Sequence, residues 1–205
     1  KTVKIAAETV DLQALTAYVQ KLGMNRGKWR DLFEPQRLEV MDATSKGVLD
    51  ANHSVPVYWY GKSKVASLFG SGPINGCDAQ QTLAWIYRGG GLELYNELLK
   101  KINLDVVGFF AMPMPTQPLG WFKKPVTKIE DFKGLKFRTV GISIDVFTAL
   151  GAAVNALPGG EIVPAMDRGL LDAAEFNNMS SDRLLGFPDV SKTCMLQSYH
   201  QNAEQ

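Results

Sequence analysis

One arginine stands where a fixed positive charge could hold a small anion. Arg138 closes the short apolar run of "EDFKGLKFRTVG" (130–141). A guanidinium is a planar fork that matches a carboxylate through two hydrogen bonds. At a strand end the same residue type also forms structural ion pairs, here with Glu130, Asp131 or Glu175. The residue types alone leave both roles open.

Other side chains could complete a small-ligand site around that charge. Gln117 and Glu175 carry oxygens, which suit a hard cation such as sodium or calcium better than zinc. Small-ligand pockets usually also have apolar or stacking walls. The aromatic candidates for such walls are Tyr58, Trp59, Trp121 and Phe176. Each tryptophan could equally serve in core packing.

Common catalytic templates are missing from the sequence. "YGKS" (60–63) resembles the end of a P-loop, but Pro56 stands where the loop needs a glycine. There is no G-x-S-x-G elbow, and the two histidines, His53 and His200, form no metal-binding pair. The enzyme that remains open is a lyase or hydrolase acting on a carboxylate substrate, with Glu175 as general base near Arg138.

Composition and charge narrow the function classes. The chain has 205 residues, 45% of them hydrophobic and 21% charged, which are ordinary globular values. The 22 lysines and arginines nearly balance the 21 acidic residues, so nucleic-acid binding is not expected. No stretch of 18 apolar residues occurs, so no transmembrane helix is predicted. Two cysteines, Cys77 and Cys194, leave the redox compartment open.

These side chains must be positioned by alternating strands and helices. Strands are predicted at 3–7, 104–111, 135–139, 153–157 and 173–176, with an extended run at 50–60. Helices are predicted at 12–22, 78–88, 92–102, 144–150 with Ser143 as N-cap, and 159–168. Such a succession indicates an α/β protein with a largely parallel sheet. Ligands of these sheets bind outside the carboxyl ends of strands, where Arg138 and Glu175 both lie.

Five segments, in order along the chain, carry a family resemblance. They are 39–62, 84–99, "TQPLGWFKKPV" (116–126), "FKGLKFRTVG" (132–141) and "LGAAVNALPGGEIVPAMDRGLLDAAEF" (150–176). Together they resemble the extracytoplasmic substrate-binding proteins of TRAP transporters, the tripartite ATP-independent periplasmic systems. The branch that binds 2-oxo acids and related monocarboxylates is the most similar. One such segment would be weak, whereas five in family order are specific.

The resemblance implies roles for the charged and polar candidates. The arginine of "GLKFR", Arg138, would pair with the ligand carboxylate. Gln117, Glu175 and the carbonyl of Phe176 would hold a sodium or calcium ion that bridges to the ligand. The branch commonly has tryptophan at the last position, so Phe176 is a departure that changes the width and polarity of the pocket.

The resemblance also implies the lining of the ligand cleft. Tyr58, Trp59 and Trp121 fall where the family lines that cleft. Asn178 would add a polar contact just after the strand, although an ordinary loop asparagine is the alternative.

The implied fold is the two-lobed clamshell of periplasmic binding proteins, in the α/β class. The expected division is lobe I at 1–111, the core of lobe II at 112–176, and a return toward lobe I at 177–205. The family's chains are longer, so a truncated chain is expected.

The implied protein is periplasmic, with its signal peptide removed, and delivers a small organic acid to the membrane subunits of a TRAP transporter. It would not be an enzyme and would need no organic cofactor. The family includes dimers, which leaves a homodimer open. A ligand-sensing module of the same fold is a further alternative.

Overall fold

The structure is a computed structural model that describes residues 39–70, 78–111 and 117–196, together with the backbone of 5–7. The chain divides into two compact units. The first unit contains Lys1–Val55 and Asn96–Gly108, and the second contains Pro56–Tyr95 and Phe109–Gln205. The helix predicted at 12–22 lies outside the described residues. The lobe division expected from the sequence stays a prediction.

The first unit contains a two-stranded parallel sheet. Strand β1 (Ile5–Ala7) pairs with β2 (Ala51–His53). Helix α1 (Val40–Ser45) precedes β2, and its buried Val40 packs with Leu49. Strand β1 lies inside the predicted strand at 3–7, which confirms that part of the sequence interpretation.

Two consecutive helices follow the sequence signals closely. Helix α2 (Ala79–Arg88) begins with a capping box, because Asp78 accepts the backbone N–H of Gln81 while the side chain of Gln81 accepts the backbone N–H of Asp78. The glycines that follow end this helix, and Gly90 has a φ of +83°, which a residue with a side chain rarely adopts. Helix α3 (Gly91–Lys101) then begins, as predicted.

The second unit is built on a five-stranded mixed sheet. Its strands are β3 (Gly120–Phe122), β4 (Lys136–Arg138), β5 (Ala153–Asn155), β6 (Ala173–Ala174) and β7 (Thr193–Met195). They stand in the order β5-β4-β6-β3-β7. Strand β4 is parallel to β5 and β6, whereas β3 is antiparallel to β6 and β7.

Alternate residues of the strands enter two separate hydrophobic cores. Trp121 and Ala174 belong to a core with residues of α5, whereas Phe122, Phe137 and Ala173 belong to a core with residues of α4. Pairing sets Arg138 opposite Ala174, and Ala174 opposite Trp121. Since paired residues point to the same face, Arg138 lies on the Trp121 side of the sheet.

Four helices complete the described part of the second unit. They are α4 (Ser143–Ala149), α5 (Gly159–Asp167), α6 (Met179–Leu184) and α7 (Phe187–Val190). Short 3-10 helices occur at Pro56–Gly61, Lys64–Phe69 and Ile129–Phe132. Within the described ranges, none of the helices combines the length and apolar character needed to cross a bilayer.

Several local predictions were wrong. Residues 104–111 form no regular element, and the extended run at 50–60 becomes a 3-10 helix from Pro56. Ser143 is the first residue of α4, and Ile142 occupies the N-cap position without a side-chain bond. The sheet is mixed because β3 and β7, which the sequence did not reveal, run against their neighbours.

Candidate functional site

The guanidinium of Arg138 is buried at the carboxyl end of β4. The residue is 0% exposed, and its Nε donates to the carbonyl oxygen of Leu157 at 2.8 Å. Its Nη1 donates to the carbonyl oxygen of Glu175 at 2.8 Å and to Oε1 of the same residue at 3.1 Å. The structural ion pair considered from the sequence therefore exists, with Glu175 as the partner.

The third nitrogen of Arg138 has a different status. Nη2 is buried, and among the described residues it has no hydrogen-bond partner. A buried donor of this kind costs free energy unless an acceptor reaches it. The ion pair thus leaves one end of the guanidinium available to an added anion, so the structural and ligand-binding roles of Arg138 are compatible.

Gln117, Glu175 and Phe176 meet beside this guanidinium. Nε2 of Gln117 donates to Oε2 of Glu175 at 2.6 Å and to the carbonyl oxygen of Phe176 at 2.5 Å. Gln117 is 4% exposed and Glu175 6%. Each carboxylate oxygen of Glu175 thus has its own partner, Arg138 for Oε1 and Gln117 for Oε2.

Strand pairing explains why these residues meet. Glu175 follows β6 directly, Arg138 ends β4, and the two strands are parallel neighbours, so their carboxyl ends lie together. The backbone N–H of Glu175 donates to the carbonyl oxygen of Arg138 at 3.2 Å. Gln117 lies three residues before β3, which pairs with β6 on its other side.

The donor set fits a hard cation. Sodium and calcium prefer carboxylate, amide and carbonyl oxygens, and such oxygens occur on Glu175, Gln117 and Phe176. The amide of Gln117 presents its nitrogen to the other two groups, and a half turn about its last side-chain bond presents its oxygen instead. The described ranges contain no group of three or more His, Cys, Asp or Glu side chains placed to hold a metal ion.

The ring of Phe176 packs between the guanidinium and the start of α5. Cζ of Arg138 lies 5.7 Å from the ring centroid, within the range of a cation–π contact. On the other side, a Cβ added to Gly159 would lie only 2.7 Å from Cζ of the Phe176 ring. The absence of a side chain at Gly159 therefore lets the ring reach this place, a contact that the sequence did not indicate.

Trp121 lies in the core next to the site. It is 6% exposed, and its ring packs against Phe187 with centroids 6.1 Å apart. Its indole Nε1 donates to Oδ2 of Asp182 at 3.0 Å. Strand pairing places Trp121 on the Arg138 face of the sheet. Its contact with a ligand stays a prediction.

Asp182 is a buried carboxyl that the sequence analysis missed. It is 0% exposed, and its second oxygen, Oδ1, accepts the backbone N–H of Asn177 at 3.1 Å. Burial raises the pKa of Asp182 to about 6, and the negative charge of Glu175 adds to this rise. The N–H groups of Trp121 and Asn177 and the charge of Arg138 act on the pKa in the opposite direction.

Asn178 has a structural role that the structure makes plain. Its Oδ1 accepts the backbone N–H groups of Ser180 and Ser181, each at 3.1 Å, and so caps helix α6. Its Nδ2 donates to Oδ1 of Asn177 at 3.1 Å. A ligand contact by Asn178 stays a prediction.

Tyr58 and Trp59 lie in the 3-10 helix Pro56–Gly61. Trp59 is 3% exposed, and among the described residues its Nε1 has no hydrogen-bond partner. A Cβ added to Gly141, three residues after Arg138, would lie 3.1 Å from Cβ of Val57. This helix therefore adjoins the loop that follows β4, and the lining role of both aromatic residues stays a prediction.

Comparison with known proteins identifies relatives. The family model of bacterial extracellular solute-binding proteins, family 7, matches residues 31–204. A curated monocarboxylate 2-oxoacid-binding periplasmic protein of Nostoc sp. is 41% identical over 149 residues, which are 73% of this chain and 40% of the relative. The matched residues therefore span less than half the length of this relative.

Solved structures share the fold. One is a TRAP periplasmic solute-binding protein of Pseudoalteromonas atlantica with bound sodium and pyruvate, at a TM-score of 0.80 and 25% identity, covering 98% of this chain and 63% of that one. Another, from Colwellia psychrerythraea with bound calcium and pyruvate, gives a TM-score of 0.80 and 26% identity and covers 100% of this chain and 65% of that one.

Proposed function

This chain belongs to the bacterial extracellular solute-binding proteins of family 7, and from that premise we propose that it binds a small 2-oxo acid for a TRAP transporter. The family match covers most of the chain and confirms the resemblance found in the sequence. The expected α/β fold of TRAP binding proteins is confirmed by the solved structures. The periplasmic location is confirmed too, because the family is extracellular and the curated relative is periplasmic.

The proposal is carried by Nη2 of Arg138, which has no hydrogen-bond partner among the described residues. A carboxylate that leaves water for a buried site must be paired and hydrogen-bonded to bind at all. Nη2 supplies a donor with a permanent charge, and its two neighbouring nitrogens are already held by Leu157 and Glu175. The guanidinium is therefore fixed before the ligand arrives, which lowers the entropic cost of binding.

A cation would solve the electrostatic problem of this site. Glu175 is buried beside Arg138 and cancels its charge, so the pair alone has no net attraction for an anion. A sodium or calcium ion on Glu175, Gln117 and the carbonyl of Phe176 would restore a positive charge at the place where the ligand carboxylate must lie. The relatives with bound sodium or calcium and pyruvate support this part of the proposal.

The remaining parts of the proposal follow from the family. Tyr58, Trp59, Trp121 and Asn178 would complete the ligand cleft, and membrane subunits of a TRAP transporter would receive the ligand. The lobe division at 1–111, 112–176 and 177–205 and a homodimer belong to the same proposal. We propose no catalytic activity, since the contacts of Glu175 are an arginine and an amide rather than a nucleophile.

Isothermal titration calorimetry tests the proposed function. The purified protein is titrated with pyruvate and with longer 2-oxo acids, first in buffer with calcium or sodium and then in cation-free buffer. We expect saturable binding that weakens when the cation is removed. Lactate and propionate, which lack the oxo group, serve as matched acids. Folded protein that binds none of these acids in either buffer would contradict the proposal, and product formation from any of them, followed by NMR, would favour an enzyme.

A further inference from the structure

The buried carboxylate of Asp182 has no part in the site proposed above. Both of its oxygens accept N–H donors, from the indole of Trp121 at 3.0 Å and from the backbone of Asn177 at 3.1 Å. Both of these contacts are with donors, which suits the ionised form, because a carboxylate oxygen that carries a hydrogen is a poorer acceptor for an N–H group. The contacts therefore select a negative charge at this place.

The position of Asp182 is fixed from its own helix. It lies in α6, and its backbone N–H donates to the carbonyl oxygen of Asn178 at 2.9 Å. Asn178 also caps α6 through its side chain. Because Asn177 N–H binds the carboxylate as well, Asp182 holds the short loop that connects Phe176 to α6. The carbonyl of Phe176, at the start of that loop, and the carboxylate of Glu175, directly before it, are the oxygens expected to face a cation.

The charges of the region do not balance. Among the described residues, one buried cation, Arg138, stands with two buried carboxylates, Glu175 and Asp182, each 6% exposed or less. The charges of both Arg138 and Glu175 act on the Asp182 carboxyl, so the three groups share one electrostatic environment. With all three ionised the cluster carries one excess negative charge, which attracts a cation and repels an anionic ligand.

We propose that Asp182 is a positioning and charge-setting residue that gives the Gln117–Glu175–Phe176 group its affinity for a cation. This inference rests on the proposed function and adds to it the reason why a cation would be needed. Asp182 touches neither ion nor ligand, and it acts through the loop at Asn177 and through its charge. Groups that support metal ligands in this way typically matter by about 10- to 100-fold in metal affinity.

Calcium titrations of charge-matched variants test this role. Asp182→Asn removes the charge at nearly constant side-chain shape. If this variant does not fold, Asp182→Ser is used in its place. Asp131→Asn is the matched control, because Asp131 also accepts backbone N–H groups, from Thr127 and Lys128. Asp131 lies before β4, whereas Arg138 lies at the opposite, carboxyl end of that strand. Calorimetry with calcium chloride at pH 8 should show a loss of about tenfold or more for Asp182→Asn and no comparable loss for Asp131→Asn.

A second readout separates charge from simple scaffolding. Pyruvate affinity in cation-free buffer should not fall in Asp182→Asn, because a repelling charge has been removed, whereas its gain on adding calcium should shrink. If affinity falls equally in both buffers, Asp182 is only a structural brace and the inference is wrong. The inference also fails, while the proposed function stands, if folded Asp182→Asn binds calcium as the unmodified protein does. If the unmodified protein binds neither calcium nor any 2-oxo acid, both fail.

Discussion

Replacing Arg138 by lysine isolates the contribution of the guanidinium geometry from that of its charge. The arginine makes three hydrogen bonds, to the carbonyl oxygen of Leu157 and to two oxygens of Glu175, and keeps Nη2 for a ligand. A lysine ammonium is a single point of charge and cannot reach all of these acceptors together with a ligand carboxylate. Arg138→Lys should therefore keep the positive charge and lose the fourth contact.

The structure sets the size of this loss. A hydrogen bond to a charged group contributes about 1.5 to 3 kcal/mol, and about 1.4 kcal/mol corresponds to tenfold in Kd. Loss of the Nη2 bond in Arg138→Lys should weaken pyruvate binding by about 10- to 100-fold. Arg138→Ala also leaves the 6% exposed Glu175 without its cation. It should lower the free energy of unfolding by about 3 to 5 kcal/mol.

Two assays are needed because Arg138 also stabilises the fold. Calorimetry with pyruvate and calcium measures affinity, and urea unfolding measures the free energy of unfolding of the same samples. Arg168→Lys, an exposed arginine at the end of α5, serves as the control and should change neither quantity. Pyruvate affinity within about threefold of the unmodified protein in folded Arg138→Lys would refute the assignment of Nη2 as the ligand donor.

Three further changes test the surroundings of Arg138. Glu175→Gln should make pyruvate affinity nearly independent of calcium, because the buried charge that attracts the ion is gone. Calorimetry with and without calcium measures this, and an undiminished calcium effect would remove Glu175 from the cation site. Gly159→Ala should cost about 1 to 3 kcal/mol in urea unfolding, since its Cβ would meet the Phe176 ring. That cost should vanish in the Phe176→Ala background, and a cost that persists there would show that the ring is not its cause. Between pH 4 and 7 the free energy of unfolding should fall relative to Asp182→Asn by about 2 kcal/mol, because the pKa of the Asp182 carboxyl is about 6 in the folded protein and near 3.8 for an ordinary aspartate. Parallel curves for the two proteins in urea unfolding across this range would contradict the buried, perturbed state of Asp182.

The meeting of Arg138 and Glu175 could be predicted from the sequence. Both residues follow short apolar runs that read as buried strands, and parallel strands bring their carboxyl ends to one edge of a sheet. The structure confirms this through the pairing of β4 with β6. The place of Gln117 could not be derived in this way, because it lies 58 residues from Glu175 and is brought there by antiparallel β3. It was available only from the family resemblance.

The missed strands show the limit of local patterns. Strands β3 and β7, three residues each, were not predicted from the sequence. The apolar run at 104–111 has the composition of a strand, yet Val107 is 72% and Phe109 77% exposed. A strand needs a partner as well as a pattern, and only the tertiary arrangement decides which apolar segments receive one.

Asp182 was missed for a related physical reason. An aspartate four residues after a helix N-cap is ordinarily a solvated side chain, and nothing in the local sequence indicates otherwise. Its burial depends on Trp121, which lies in the distant strand β3. The indole N–H of Trp121 donates a hydrogen bond to the buried carboxylate. Contacts of this kind follow from sheet order rather than from sequence neighbourhood.

A crystal structure of the protein grown with pyruvate and calcium would show most directly whether Arg138 binds the ligand carboxylate. We expect a carboxylate oxygen of pyruvate within hydrogen-bond distance of Nη2 of Arg138, with the ion on Glu175 and the carbonyl of Phe176. Pyruvate bound elsewhere, with Nη2 still lacking an acceptor, would contradict it.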